Sequence, residues 1–158
     1  MKFLRMNNWT ALLLVPIFFL AFPASALAIS ITNTGGEIGN DFVVGPAKTE
    51  VYLKPGEKVV KSLSVTNRTD REQIFTVDVE DFKGSKDVSQ VVVLLGNDRS
   101  PYSLHDYIKP EVNSFKLKSG QRAVMDVSIN IPADAEPGGR YGSILVSSMP
   151  SSMDEDSV

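Results

Sequence analysis

The stretch Ser103-Leu104-His105-Asp106-Tyr107 holds the only histidine of the chain between a serine and an aspartate. Those are the residue types of a nucleophile, a general base and an orienting acid. A Ser–His–Asp site is defined by convergent geometry, and three near neighbours on one loop do not easily adopt it. The default reading of His105 is a solvated loop histidine, and no catalytic residue is assigned. Tyr102 and Tyr107 flank it, and aromatics on an exposed loop suit stacking on a sugar or a partner peptide. Tyr102, His105 and Tyr107 are therefore the candidate binding residues; the alternative is that the tyrosines plug one end of the domain. The single tryptophan is Trp9, inside the N-terminal leader, which weakens a dedicated carbohydrate site.

Oxygen ligands are similarly sparse in pattern. Asp78, Glu80 and Asp81 share one strand, and Asp154, Glu155 and Asp156 share the tail. Neither set has the spacing and glycine turn of a calcium loop. Carboxylates on the wet face of a strand are the default. There is no cysteine, which excludes disulfides, thiolate metal sites and a lipid-modified cysteine. No metal and no cofactor is expected. Asn67-Arg68-Thr69 fits the spacing of a glycosylation acceptor, but asparagine there also suits a turn, and the turn reading is adopted.

The elements that must position these residues come from period-two patterning. Tyr52–Asn67, "YLKPGEKVVKSLSVTN", is respelled at Lys116–Ile131, "KLKSGQRAVMDVSINI". Without a gap, Lys54 meets Lys118, Gly56 meets Gly120, Leu63 meets Val127 and Val65 meets Ile129. Each copy is a turn followed by an amphipathic strand, with Pro55, Gly56 and Gly120 as the structural turn residues. The expectation is a pseudo-symmetric pair of hairpins within one domain. Phe75, Val77 and Val79 alternate with Thr76, Asp78 and Glu80 in a further strand. "VSQVVVLLG", residues 88–96, is expected as a strand. Residues 96–113 form the longest irregular stretch, with one helical turn near Leu104–Tyr107. "SFKL" and "RYGSILVSSMP" are the remaining strands. Gly45-Pro46 makes an edge strand with a kink of the segment around it, since proline lacks a ladder donor.

No helical stripe appears outside the leader. Short alternating strands with regular turn chemistry predict an all-β, immunoglobulin-like sandwich of about seven strands. The leader itself, residues 1–28, has the layout of a signal peptide: Lys2 and Arg5, an apolar run from Ala11 to Phe22, then "ASALA" before a cut at Ile29. That apolar run is short for a membrane span, so an exported mature form without a span is expected: periplasmic, cell-wall associated or secreted. An uncleaved anchor is the alternative. Residues 29–40 are expected as a flexible lead-in, 41–149 as the sandwich and 150–158 as an acidic disordered tail. The formal charge of −3 and the dispersed lysines argue against nucleic acid, which rewards a clustered basic face.

"KPGE", a strand ending in "VTN", "FKLKSGQ", a strand ending in "INIP", and "GGRYGSILVSS" together resemble bacterial envelope proteins with immunoglobulin-like domains. The pattern is similar to the N-terminal domains of WxL-interacting-type surface proteins and, more distantly, to the first domain of PapD-type periplasmic chaperones. It covers about residues 42–149. The resemblance implies a non-catalytic module that contacts another envelope or surface protein, with cell-wall glycan binding or chaperone-like activity as alternatives. It also implies a tyrosine corner at Tyr141 and a loop over the sandwich end at Ser100–Leu104. The chain departs from the pattern in lacking a second domain, an anchor and a placeable basic pair. By strand count in the PapD-like pattern, a seventh strand is missing after "GGRYGSILVSS". That leaves Tyr141, Ile144 and Val146 on an open edge, unless residues 29–44 fold back over it or the gene product is truncated.

Overall fold

The computed structural model describes residues 29–86, 89, 91–96 and 98–151. The signal peptide expected over 1–28 and the tail beyond Ser151 lie outside the described residues. The described residues form ten strands and one 3-10 turn: β1 (Ser30–Asn33), β2 (Phe42–Gly45), β3 (Lys58–Asn67), β4 (Gln73–Glu80), β5 (Phe82–Gly84), β6 (Val92–Leu94), the 3-10 turn His105–Tyr107, β7 (Ile108–Pro110), β8 (Ser114–Leu117), β9 (Gln121–Asn130) and β10 (Ser143–Pro150). The first sheet has the order β1-β9-β3-β2, with β7 on β9 beyond β1. The second has the order β10-β4-β8, and β5 and β6 form a separate ribbon. The architecture is an immunoglobulin-like β-sandwich.

Alternation explains the core. Leu63 and Val65 of β3 and Ala123, Met125 and Val127 of β9 point inward from the first sheet. Phe75 and Val77 of β4 and Phe115 and Leu117 of β8 meet them from the second. Phe75 stacks on Phe115 with ring centroids 5.6 Å apart and takes Phe42 edge-on at 5.3 Å. Ile144 and Val146 of β10 pack against the flank of this cluster. Gly142 precedes them because a Cβ there would lie 3.0 Å from Ile108 Cδ1 and 3.3 Å from Leu104 Cβ.

The repeat is one turn used twice. At 54–57 the Glu57 N–H donates to Lys54 O at 3.0 Å, and the Lys54 N–H donates to Glu57 Oε2 at 2.8 Å. At 118–121 the Gln121 N–H donates to Lys118 O at 3.1 Å, and the Lys118 N–H donates to Gln121 Oε1 at 2.9 Å. Gly56 and Gly120 sit third in their turns with φ of 84° and 72°, the left-handed position of a type II turn. β3 and β9 pair antiparallel with Ser62 opposite Asp126, so the two copies are related by a local two-fold passing between those residues. The symmetry extends to the ends: the Gly56 N–H donates to Ile131 O, and the Gly120 N–H donates to Asn67 O, each at 3.0 Å.

Several expectations are corrected. Neither turn closes a hairpin within a sheet. β8 belongs to the second sheet and β9 to the first, so the turn at 118–121 carries the chain across the sandwich. Ser30–Asn33, expected within a flexible lead-in, is a strand on β9. Among the described residues of 88–96 the strand is Val92–Leu94, and the last strand, expected over 140–150, begins at Ser143 and includes Pro150, which was also assigned to the tail. β2 is an edge strand that pairs with β3 alone and ends at a cis Gly45–Pro46 peptide. Because β1 and β2 both lie in the first sheet, residues 30–33 and 42–45 do not cover β10.

Candidate functional site

β10 pairs with β4 along its whole length, Ser143 opposite Glu80 to Pro150 opposite Gln73, and forms one margin of the second sheet. Two hydrogen bonds reveal which way its backbone faces. The Val77 N–H donates to Asn113 O at 2.9 Å on the β8 side of β4, and the Ser151 N–H donates to Glu72 O at 3.4 Å on the β10 side. In an antiparallel ladder successive residues alternate direction. Ser143, Leu145, Ser147 and Met149 therefore bond to β4, and Ile144, Val146 and Ser148 direct their N–H and C=O groups away from the sheet. Among the described residues no strand meets them.

This margin lacks the usual protection against pairing. Exposed edges in folded proteins are commonly blunted by lysines or other charges. The half of β3 that β2 leaves uncovered carries Lys58 and Lys61, and β8 carries Lys116. β10 reads Ser-Ile-Leu-Val-Ser-Ser-Met-Pro, with no charge at all. Of its outward-directed positions only the last, Pro150, lacks an N–H donor.

An aromatic patch adjoins the start of β10. The Tyr141 ring lies 6.4 Å from Phe82 and 6.4 Å from Tyr102. Tyr102 and Tyr141 are 59% and 57% exposed. In place of the buried tyrosine corner expected at Tyr141, its ring is exposed and meets Phe82 at a tilt and Tyr102 edge-on. Its backbone is held by the neighbouring loop: the Tyr141 N–H donates to Tyr102 O, and the Leu104 N–H donates to Tyr141 O, both at 2.8 Å.

Asp81 anchors that loop from within. It is fully buried, and its Oδ2 accepts the Ser100 N–H at 3.0 Å. The Leu95 N–H donates to Asp81 O at 2.9 Å. Burial is the largest single influence on the carboxyl and works to raise its pKa. The hydrogen bonds from the Ser103 side chain and Ser100 backbone, with the charges of His105 and Arg99, together outweigh it and hold the pKa below the ordinary 3.8. Asp78 and Glu80, on the opposite face of the strand, do not converge with it.

The three loop candidates do not share a cleft. Tyr102 rests on Tyr141, Tyr107 lies under Arg140 with the guanidinium carbon 5.4 Å from its ring centroid, and His105 Nδ1 is 2.8 Å from Asp106 Oδ1. Ser103 Oγ accepts the His105 backbone N–H at 3.2 Å and contacts Asp81. The serine-to-imidazole hydrogen bond that activates a nucleophile is not among these contacts.

Asn67 is also resolved. It is fully buried, and its Nδ2 donates to Arg71 O at 2.8 Å and Leu117 O at 2.9 Å. Its Oδ1 accepts the Thr69 N–H at 2.9 Å and the Thr69 hydroxyl at 2.7 Å. The amide has no free hydrogen for a glycan in the folded state, and the turn reading holds. A cavity of about 400 Å³ beside it is lined by Thr34, Glu37, Ile38, Val43, Arg68 and Arg122. Sequence reasoning did not single out Arg68 or Arg122. Both arginines are engaged, Arg68 Nε 3.1 Å from Asp41 Oδ1 and Arg122 Nε donating to Thr66 Oγ1 at 2.9 Å.

No protein-family model matches the chain, and no curated protein does. Among solved structures the chain is similar to the ASH / PapD-like domain of human CEP192 (PapD-like domain 7). The identity is 15% and the TM-score 0.37, over 94% of this chain and 87% of that one. A likeness this loose carries no argument beyond the strand pairing already described. None of these comparisons supports a WxL-interacting-type surface protein.

Proposed function

We propose that the chain is an exported, non-catalytic immunoglobulin-like module of the cell envelope that binds another polypeptide by accepting a strand along β10. The observation that supports this reading is the uncharged outer margin of β10, where Ile144, Val146 and Ser148 offer backbone donors and acceptors with no strand opposite among the described residues. Strand addition supplies main-chain hydrogen bonds for affinity and side-chain contacts for selectivity. Here the side chains on offer are Ile144 and Val146 at the core flank, with Tyr141 at the strand's start. A glycan site built on Tyr102, His105 and Tyr107 is less well supported, because the three diverge.

Hydrogen exchange tests the reading. The amides of Leu145, Ser147 and Met149, bonded to β4, exchange slowly in the isolated monomer. Those of Ile144, Val146 and Ser148 exchange quickly and become protected when the binding partner is added. Equal protection of both sets in the isolated monomer would show the edge already covered and refute the proposal.

A further inference from the structure

We infer that the strand accepted by β10 is the β10 of a second copy of this chain, running antiparallel about a two-fold axis at Leu145. This rests on the reading of β10 as an acceptor edge and names its partner. The alternation of the ladder restricts the register, since outward-directed residues must face outward-directed residues. Placing Leu145 opposite itself satisfies that condition along the whole strand: Ile144 faces Val146 of the other copy, Val146 faces its Ile144, and Ser148 faces its Gly142.

The side chains match in the same register. On the core side, Ile144 meets Val146 in both halves, so each copy extends the apolar flank of the other, and Ser148 meets the side-chain-free Gly142. On the outer face, Leu145 meets Leu145 and Ser143 meets Ser147. Met149, 45% exposed, meets Tyr141, 57% exposed. Thioether sulfur against an aromatic ring is a favourable contact. The Tyr141 ring keeps more than half of its surface exposed beside Phe82 and Tyr102. From Tyr141 to Met149 every cross-strand pair is apolar or aromatic with apolar, or small with small; beyond them Pro150, which has no N–H to donate, meets Arg140, and no charge opposes its own image. An isologous contact needs this self-complementarity, because the same patch must serve both partners. A register shifted by two residues toward Pro150, centred on Val146, puts serine opposite Ile144 and Ser151 opposite Tyr141, and loses both matches. The product is a continuous six-stranded sheet with β8, β4 and β10 from each copy.

The absence of cysteine makes the test clean. In a non-hydrogen-bonded antiparallel pair the Cα atoms lie about 4.5 Å apart, within the span a disulfide accepts. Leu145→Cys is expected to form a disulfide-linked dimer under mild oxidation. Ser147→Cys, which faces Ser143 of the other copy, is expected to stay monomeric alone but to cross-link with Ser143→Cys when the two proteins are mixed. Sedimentation equilibrium of the wild type up to about 1 mM, the weak end of specific association, is expected to show a reversible dimer. Leu145→Arg, which opposes two guanidinium groups at the axis, is expected to abolish it while leaving the thermal melt of the monomer in place. A monomeric wild type, or cross-linking of Ser147→Cys as efficient as that of Leu145→Cys, would overturn the two-fold pairing. If the Ile144, Val146 and Ser148 amides still exchange quickly in that monomer, β10 remains an acceptor for a different chain. Amides protected in the monomer would refute both readings.

Discussion

The paired turns predict equal energetic costs at two distant sites. Gly56 and Gly120 hold φ of 84° and 72°, where an L-residue pays about 1–2 kcal/mol. A Cβ built at Gly56 comes no closer than 3.9 Å to Ala133, and one at Gly120 meets nothing within 4 Å. The cost of substitution is therefore backbone strain and not collision. Alanine also removes some freedom from the unfolded chain, which offsets about 0.4–1 kcal/mol. The net loss for Gly56→Ala or Gly120→Ala is then about 1 kcal/mol. Valine is stiffer at its β-branch, and its loss rises to about 1–3 kcal/mol. Asparagine, which tolerates the left-handed region, is expected to cost less than alanine. The sites lie at opposite ends of the β3–β9 ladder, too far apart to couple, so the double valine variant should lose the sum. Urea unfolding of the two single variants and the double measures all three. Valine variants within about 0.5 kcal/mol of the wild type, the range of neutral surface substitutions, would refute the shared-turn argument. So would a large loss at one site alone.

Two other outcomes follow from single groups. Asp81 has a depressed folded pKa, so its contribution to stability is complete above the ordinary aspartate value and disappears as pH falls through the folded one. Asp81→Asn is expected to destabilise by about 1–3 kcal/mol at neutral pH through the weakened Ser100 contact, and to flatten the acid limb of the unfolding curve; an acid limb that superimposes on the wild type's would refute this. The leader layout predicts an exported protein beginning at Ile29, and an intact Met1 terminus in the exported fraction, measured by mass spectrometry, would refute that.

The elements legible in the sequence are those whose cause is local. Leu63 and Val65, Phe75 and Val77, and Met125 and Val127 alternate with polar neighbours because one face of each strand is buried, and a period of two records that directly. Pro55-Gly56 and Ser119-Gly120 mark turns because glycine takes the positive φ of their third position without strain. β1 left no such mark: all four of its residues are exposed, and it is held to β9 by main-chain bonds that any sequence can make. Tertiary structure alone decided where the strands went. The same turn chemistry serves a hairpin and a crossing between sheets, so nothing in Lys118–Gln121 reveals that β8 and β9 lie in opposite layers. Asp81 looked like one more carboxylate on a wet strand, and only its inward register, with Ser100 brought back from nineteen residues away, made it a buried anchor. The repeat of 54–67 at 118–131 was visible as spelling, but its two-fold axis between Ser62 and Asp126 exists only because the copies pair with each other. Whether β10 has a neighbour depends on the destinations of every other strand, a non-local property that no window of sequence contains.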